Sequence, residues 1–435
     1  MHLRLGEIDN VIVSSPEIAK EFLKTHDIIF ASRPSLISSE IGCYGNTDIA
    51  FAPYGNYWKQ LRKICTQELL STPRVQSLRP IREEEVTDLC KSIAHNAGKP
   101  INLTDKISQV SYDIMVRACL GKKSDEKSLF TKIVREGLQN VSVFDIADVY
   151  PSIKLLLHLF TDLRRRVEKH HEQLDTIMGK IIDDRKRASA VKIDEGEKQE
   201  DLLNVLLKLQ SGVSLEHPLT NDNIKAVLMD MFGAGVDTTT SVVDWTMAEL
   251  LKNRIILKTV QDELRQVFDD KGRVDESNFD ELEYLKLVIK ETFRFHPTVP
   301  LLLPRESREP CQINGYDIPA KTRVLVNAWA MGRDPKYWND AQSFKPERFL
   351  EKSVDFKASS LEYIPFGAGR RMCPGTIYGP VIVEFQLAML LYHFDWILPD
   401  GMKPEDLEMT EVFGVASRRK QDLYVVPIVS RPLLV

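Results

Sequence analysis

Leu3-Arg4-Leu5 and Val11-Ile12-Val13 set short alternating or β-branched runs on either side of Gly6 and Asn10, a pattern that predicts a small hairpin. A helix is expected from Ser15-Pro16, where serine caps and proline takes the first turn, to about Thr25. From Phe30 to Gly55 two prolines, several serines and three glycines predict mostly loop, a natural wall for a ligand. Residues 75 to 183 read as largely helical, with apolar periodicity through Ile107–Leu120 and Val167–Ile182 and an interruption at Pro151. Asp183 to Asp201 offers little to bury and is expected to be a solvated connector within one domain. A long helix should open near Thr220–Asn223 and run past Leu250, and another should span Glu283 to Phe295, ended by His296-Pro297. Pro297 to Arg305 reads as an extended apolar strand.

Composition narrows the classes. With 43% hydrophobic and 28% charged residues the 435-residue chain is an ordinary globular protein. A net charge of -5 gives no footprint for nucleic acid. The six cysteines are scattered, without the pairs of a zinc site or the density of a disulfide framework, which favours a reducing compartment. No run reaches the ~20 apolar residues of a membrane helix; Val381 to Phe394 is too short and carries Glu384. Residues 1–27 lack the pattern of a signal peptide.

The candidate chemistry lies in four places. Tyr363 to Gly375 delivers Cys373 on a glycine-bearing loop with Arg371 two residues away. A lone cysteine is ordinarily a small buried hydrophobe, but nearby positive charge, backbone donors and a bound metal all keep a thiol ionised. In the long helix, Gly233, Gly235 and the hydroxyls of Thr238, Thr239, Thr240 and Ser241 interrupt an apolar run. Small residues there suit either a close helix crossing or a hydroxyl bonded one turn back that opens room for water or oxygen. Trp58 and Arg62, four apart, share a helix face, and Glu291 and Arg294 form an i,i+3 pair that alone would be a near-neutral surface decoration. His296 reads as a cap at its helix end, since no second ligand stands at metal spacing.

These segments together resemble the cytochrome P-450 superfamily. Phe366, Gly369, Arg371, Cys373 and Gly375 match its haem-thiolate signature Phe-x-x-Gly-x-Arg-x-Cys-x-Gly. Ala234 to Thr239 looks like its Ala-Gly-x-Asp-Thr-Thr segment, Trp58/Arg62 its Trp-x-x-x-Arg, Glu291/Arg294 its Glu-x-x-Arg, and Pro346 to Phe349 its Pro-Glu-Arg-Phe. The five motifs occur in the family's order over almost the whole chain, and their wording is similar to plant endoplasmic-reticulum enzymes of specialised metabolism. The resemblance implies a mainly α fold with a minor β region, one domain over residues 1–435, and a haem (heme b, iron protoporphyrin IX) between the long helix and the cysteine loop. It implies Cys373 as the iron ligand, Trp58, Arg62 and Arg305 at the haem propionates, and Asp237 and Thr238 as the groups that route protons. Glu291, Arg294 and Arg348 would form a buried triad that shapes the core without a chemical step.

The reaction so implied inserts one atom of O2 into a lipophilic small molecule, with a terpenoid or alkaloid as the expected skeleton. Electrons would come from an NADPH-dependent flavoprotein reductase docking near the cysteine face. No direct NADPH site is expected in this chain, because the Gly-Ala-Gly runs at Gly233 and Gly367 lack the strand, third glycine and later acid of a dinucleotide fold. Pocket walls are expected around 30–55, 141–157, 232–236, 299–303 and 412–415. The chain departs from the family at its start, where Met1 falls at the hairpin that a membrane helix and hinge would precede. The expectation is therefore peripheral or soluble behaviour at the cytosolic face of the endoplasmic reticulum. Two alternatives stay open: an inactive haem-binding remnant, and an oxygen-independent haem-thiolate isomerase or dehydratase, which Asp237-Thr238 disfavours.

Overall fold

In a computed structural model, which describes residues 1–121, 133–134, 145–153, 162–191, 200–212, 215–351, 354–412, 414 and 416–433, the chain is arranged around the helix Asn221–Lys252. Thr220 starts this central helix: its Oγ1 accepts from Asn223 N at 3.1 Å while Asn223 Oδ1 accepts from Thr220 N at 2.9 Å, a reciprocal cap. Apolar residues on all sides of it, including Ile224, Leu228, Phe232, Val243 and Leu250, are buried. Such a helix needs a partner on every face, and Leu103–Leu120, Glu283–Phe295 and Tyr378–His393 supply them. A Cβ at Gly235 would fall 2.3 Å from Met115 Cε, the end of a flexible side chain that the Leu103–Leu120 helix lays over this glycine.

The β region is small. His2–Leu5 pairs antiparallel with Ile8–Val13, which runs parallel to Arg323–Val326, which in turn meets Arg305–Glu306 antiparallel. Val13, Val324 and Val326 turn inward onto Phe22, Leu23 and Phe30, and the same apolar cluster takes in Ile364 and Ala368 of the cysteine loop. That loop is thus held between the sheet's core and the helical core.

Three expectations change. The helix Leu163–Val191 continues through the start of the expected connector, because Arg, Lys and Ala are good helix formers and Met178, Ile181 and Ile182 anchor one side; residues 192–199 lie outside the described residues. Within 30–55, Ile37–Gly42 is helical, its first N–H donating to Asp148 Oδ1 at 2.9 Å. Of 297–305 only Arg305 enters a strand, since Pro297, Pro300 and Pro304 have no N–H to give a ladder and Leu302 takes a left-handed φ of +51°. Of the expected walls, 141–144, 154–157, 413 and 415 lie outside the described residues. Among the described residues no helix is long and apolar enough to cross a membrane.

Glu384, on Tyr378–His393, has a buried Oε1 with no hydrogen-bond partner among the described residues, and burial pushes its pKa up to about 7. The folded chain therefore holds a proton that an unfolded carboxyl releases near its ordinary value, and stability falls as pH rises from that range through 7. Glu384→Gln should remove this slope, gaining on the order of 2 kcal/mol relative to wild type between pH 5 and pH 8. Denaturant unfolding at the two pH values measures it, and equal slopes in both proteins would contradict it.

Candidate active site

The cysteine loop is built from backbone bonds and two left-handed glycines. Cys373 N donates to Phe366 O at 2.9 Å, Met372 N to Gly369 O at 3.0 Å and Gly367 N to Ile364 O at 2.9 Å, with Gly367 at φ +70° and Gly369 at φ +71°. Gly369 is further constrained: a Cβ there would fall 2.2 Å from Leu23 O. Gly375 N donates to Cys373 Sγ at 3.3 Å, while the Phe366 ring packs on Phe293 and Phe356 with centroids 5.2 and 5.3 Å away. Burial pushes the Cys373 thiol up, and the Gly375 N–H and the Arg62 guanidinium pull it back. A bound metal is what ionises such a thiol outright.

Beside the loop lie four arginines, two of which, Arg33 and Arg371, bond to the carbonyls of Ile49, Ala50 and Ala52. Arg371 donates to Ala31 O at 2.6 Å, to Ile49 O at 3.3 Å and to Ala52 O, and its guanidinium lies 4.2 Å from the Trp58 ring centroid. Arg33, not singled out in the sequence, donates to Ala50 O at 3.0 Å, Leu303 O at 2.8 Å and Pro304 O at 2.9 Å. Arg305 pairs with Asp27 Oδ1 at 3.0 Å and donates to Ala368 O at 2.6 Å. No hydrogen bond from the Arg62 guanidinium is formed among the described residues. The Trp58 indole N–H goes to Ile49 O at 3.0 Å, so its role here is to carry Arg371 and fix the backbone rather than to offer a free donor.

Burial and the neighbouring Arg305 push Arg371 down to about 9, and burial with Arg305 and Arg371 lowers Arg33 well below the usual range. Positive charge is in excess, since Asp27 is the carboxylate paired to this group. A flat cofactor with two carboxylates fits this donor set: its acids would neutralise the arginines, and the thiol and half-buried apolar side chains would face its ring. Asp27 has a second task, accepting from Arg370 N at 2.9 Å, which ties the arginine group to the loop.

On the central helix, Ala234 is exposed although the helix around it is buried, and Gly233, Asp237 and Thr238 on the same side keep partial exposure. This side of the helix is therefore left unpacked. Thr238 Oγ1 donates to Ala234 O at 2.6 Å and Thr239 Oγ1 to Gly235 O at 2.7 Å, each one turn back, yet the helix runs unbroken. Gly235 thus meets the Met115 side chain of the neighbouring helix, and the Thr238 hydroxyl bonds one turn back without bending the helix. Val299 and Leu301 to Leu303, also half-buried, come from the turn that touches the loop where a Gly367 Cβ would lie 3.7 Å from Leu302 Cδ1.

The three expected members of the buried charge group meet. Glu291 Oε2 accepts from Arg294 Nε at 2.7 Å, and Oε1 accepts from Arg294 Nη2 at 2.7 Å, Lys345 N at 2.7 Å and Arg348 Nε at 3.0 Å. Arg294 also donates to Gly332 O and Ala341 O. The charges thereby fasten Glu283–Phe295 to the segment leading into the cysteine loop, and Tyr363 Oη adds a bond to Lys290 O at 3.0 Å. His296 does more than end the helix: Nε2 lies 2.8 Å from Glu249 Oε1, and its ring stacks on Trp245 at 3.8 Å.

A family model described as cytochrome P450 matches residues 1–425. Premnaspirodiene oxygenase of Hyoscyamus muticus is 48% identical over 433 residues, covering 99% of this chain and 86% of its own length. Salviol synthase of Salvia pomifera is 49% identical, covering 100% and 85%, and tabersonine 6,7-epoxidase isoform 1 of Catharanthus roseus 50% identical, covering 98% and 84%. A solved zebra fish cytochrome P450 with progesterone superposes with a TM-score of 0.85 at 25% identity, covering 98% of this chain and 96% of that one.

Proposed function

Because this chain belongs to the cytochrome P450 family, and is with it a haem-thiolate monooxygenase carrying heme b, we propose that it oxygenates a lipophilic terpenoid or alkaloid with electrons from an NADPH-dependent flavoprotein reductase. The observation that carries this reading is the pairing of one thiol on a fixed loop with an arginine group in excess over its carboxylate and an unpacked stretch of the central helix. When bound, the haem supplies O2 activation, for which thiolate ligation favours O–O cleavage.

The chain's own residues do the rest. Cys373 would hold the iron; Arg62, Arg371 and Arg305 would hold the carboxylates, with Trp58 backing Arg371; Phe366, Gly369 and Gly375 would shape the loop against the ring. Gly375 N–H steadies the sulfur's charge. Thr238 gives its own proton to Ala234 O, so its oxygen is left to accept from a water on this unpacked side, and Asp237 beside it supplies the acid. Half-buried Val299 and Leu301 to Leu303 exclude bulk water and favour an apolar substrate. Exposed Leu5, Ile146, Tyr150 and Ile153 gather where Glu7 N donates to Val149 O, which suits peripheral contact with a membrane such as the cytosolic face of the endoplasmic reticulum.

The test uses haem-loaded protein with saturating reductase, a panel of terpenoids and alkaloids, and three readouts: NADPH consumed, hydrogen peroxide released and product formed. Thr238→Ala should keep haem and substrate binding but move electrons from product to peroxide or water. Asp237→Asn should slow turnover by roughly 10²-fold. An unchanged ratio of product to NADPH in Thr238→Ala would reduce the hydroxyl to a packing device.

A further inference from the structure

Away from the cysteine, a second pair of acids joins the central helix to the 43–52 segment. Asp230 Oδ2 accepts from Ile49 N at 2.7 Å and Ala50 N at 3.3 Å. Asp48, fully buried, accepts from Phe51 N at 3.1 Å on both oxygens, so the two acids hold three consecutive N–H groups side by side. The opposite, carbonyl edge of the same residues is what the arginine group holds: Ile49 O takes Trp58 and Arg371, Ala50 O takes Arg33, and Ala52 O takes Arg371. Five residues of backbone are thus gripped from both sides.

We propose that Asp230 and Asp48 share one proton and act as positioning residues, a clasp that sets the Asp48–Ala52 backbone at the distance the cofactor-holding arginines require. Two adjoining carboxyls, Asp48 fully buried and Asp230 half-buried, cannot both be ionised cheaply. The bonding assigns the proton: Oδ2 of Asp230 is occupied by two N–H donors, which leaves Oδ1 to carry the proton toward Asp48. Burial and the partner acid hold Asp230 well above the usual carboxylate range, and burial raises Asp48. The surrounding groups do not replace the proton. Cys43, Cys65 and Tyr57 are pushed up by burial and by these acids, so they stay neutral, while Arg33 and Arg371 act on Asp48 only at a distance. Loss of the shared proton at alkaline pH leaves two facing anions and frees the segment. The link to the cofactor rests on the proposed reading of the arginines.

Hydrogen–deuterium exchange of the peptide spanning 43–52, in haem-loaded full chain from pH 6 to pH 9 and corrected for intrinsic exchange, reads the clasp directly. In wild type, protection at Ile49 and Ala50 should fall by up to roughly tenfold per pH unit once the pair loses its proton. Asp230→Asn places an amide N–H where the shared proton was and an amide oxygen where Oδ2 was, so its protection should match wild type at pH 6 within about twofold and stay flat with pH. Asp230→Ala should lose protection at every pH and release haem faster. A flat wild-type profile, or an Asp230→Asn segment as loose as that of Asp230→Ala, would overturn the shared proton. A loosened segment with unaltered haem retention would overturn only its link to the arginines. Should Asp230→Ala not fold, the wild-type and Asp230→Asn series decide alone.

Discussion

Cys373→Ser should abolish the absorbance of thiolate-ligated haem in the reduced, carbon-monoxide-treated protein, and product formation with it, while the loop survives. The loop's shape comes from backbone bonds, Cys373 N to Phe366 O among them, and from the Phe366 packing, none of which needs sulfur. A serine oxygen can still accept from Gly375 N, but it is a far weaker ligand than thiolate, which softer metals prefer. The other cysteines make a sharp control: Cys65 is fully buried in the helical core, and burial raises its thiol. Cys65→Ser should keep the thiolate spectrum. Far-ultraviolet circular dichroism establishes that each variant is folded, and a thiolate spectrum persisting in folded Cys373→Ser would assign the ligand elsewhere.

The second large effect is expected at Glu291→Gln. Four donors converge on its two oxygens, two of them from a fully buried Arg294, so the amide would set an N–H₂ against N–H donors and leave the arginines without their anion. Breaking a buried pair from one side costs about 3–5 kcal/mol, a large share of a typical fold's stability of ~5–15 kcal/mol. The damage should also reach the cofactor, because Phe293, two residues on, carries Phe366. Denaturant unfolding and haem content per chain measure both effects. A loss below ~1 kcal/mol would return the pair to the status of a surface ion pair.

The parts of the site that sequence reasoning reached are those whose partners lie within a turn or a loop. Gly369, Arg371, Cys373 and Gly375 sit in seven residues, and Thr238 bonds to Ala234 in the same helix. Family resemblance extended that reach to Glu291 and Arg348, 57 positions apart. What escaped depends on tertiary placement alone. Arg33 has its carbonyl partners at Ala50, Leu303 and Pro304, as far as 271 positions away, and the only local hint of burial is its place two residues after the apolar run Ile28–Ala31. Asp230 meets Ile49 across 181 positions, and nothing near either residue signals the other. The helix Leu163–Val191 runs past its expected end because a high density of charge does not by itself mean a solvated connector: charged side chains on one face are compatible with a buried stripe on the other.

The long-range bonds of Arg371 also set a timetable for biosynthesis. Its acceptors at Ala31, Ile49 and Ala52 lie 340, 322 and 319 positions earlier, so the cradle cannot close until its last component has left the ribosome. At ~5–20 residues per second, the first of these carbonyls waits roughly 20–70 s for its guanidinium. Through that interval the early half of the chain carries its apolar faces without their final partners, the kind of exposed surface that invites aggregation.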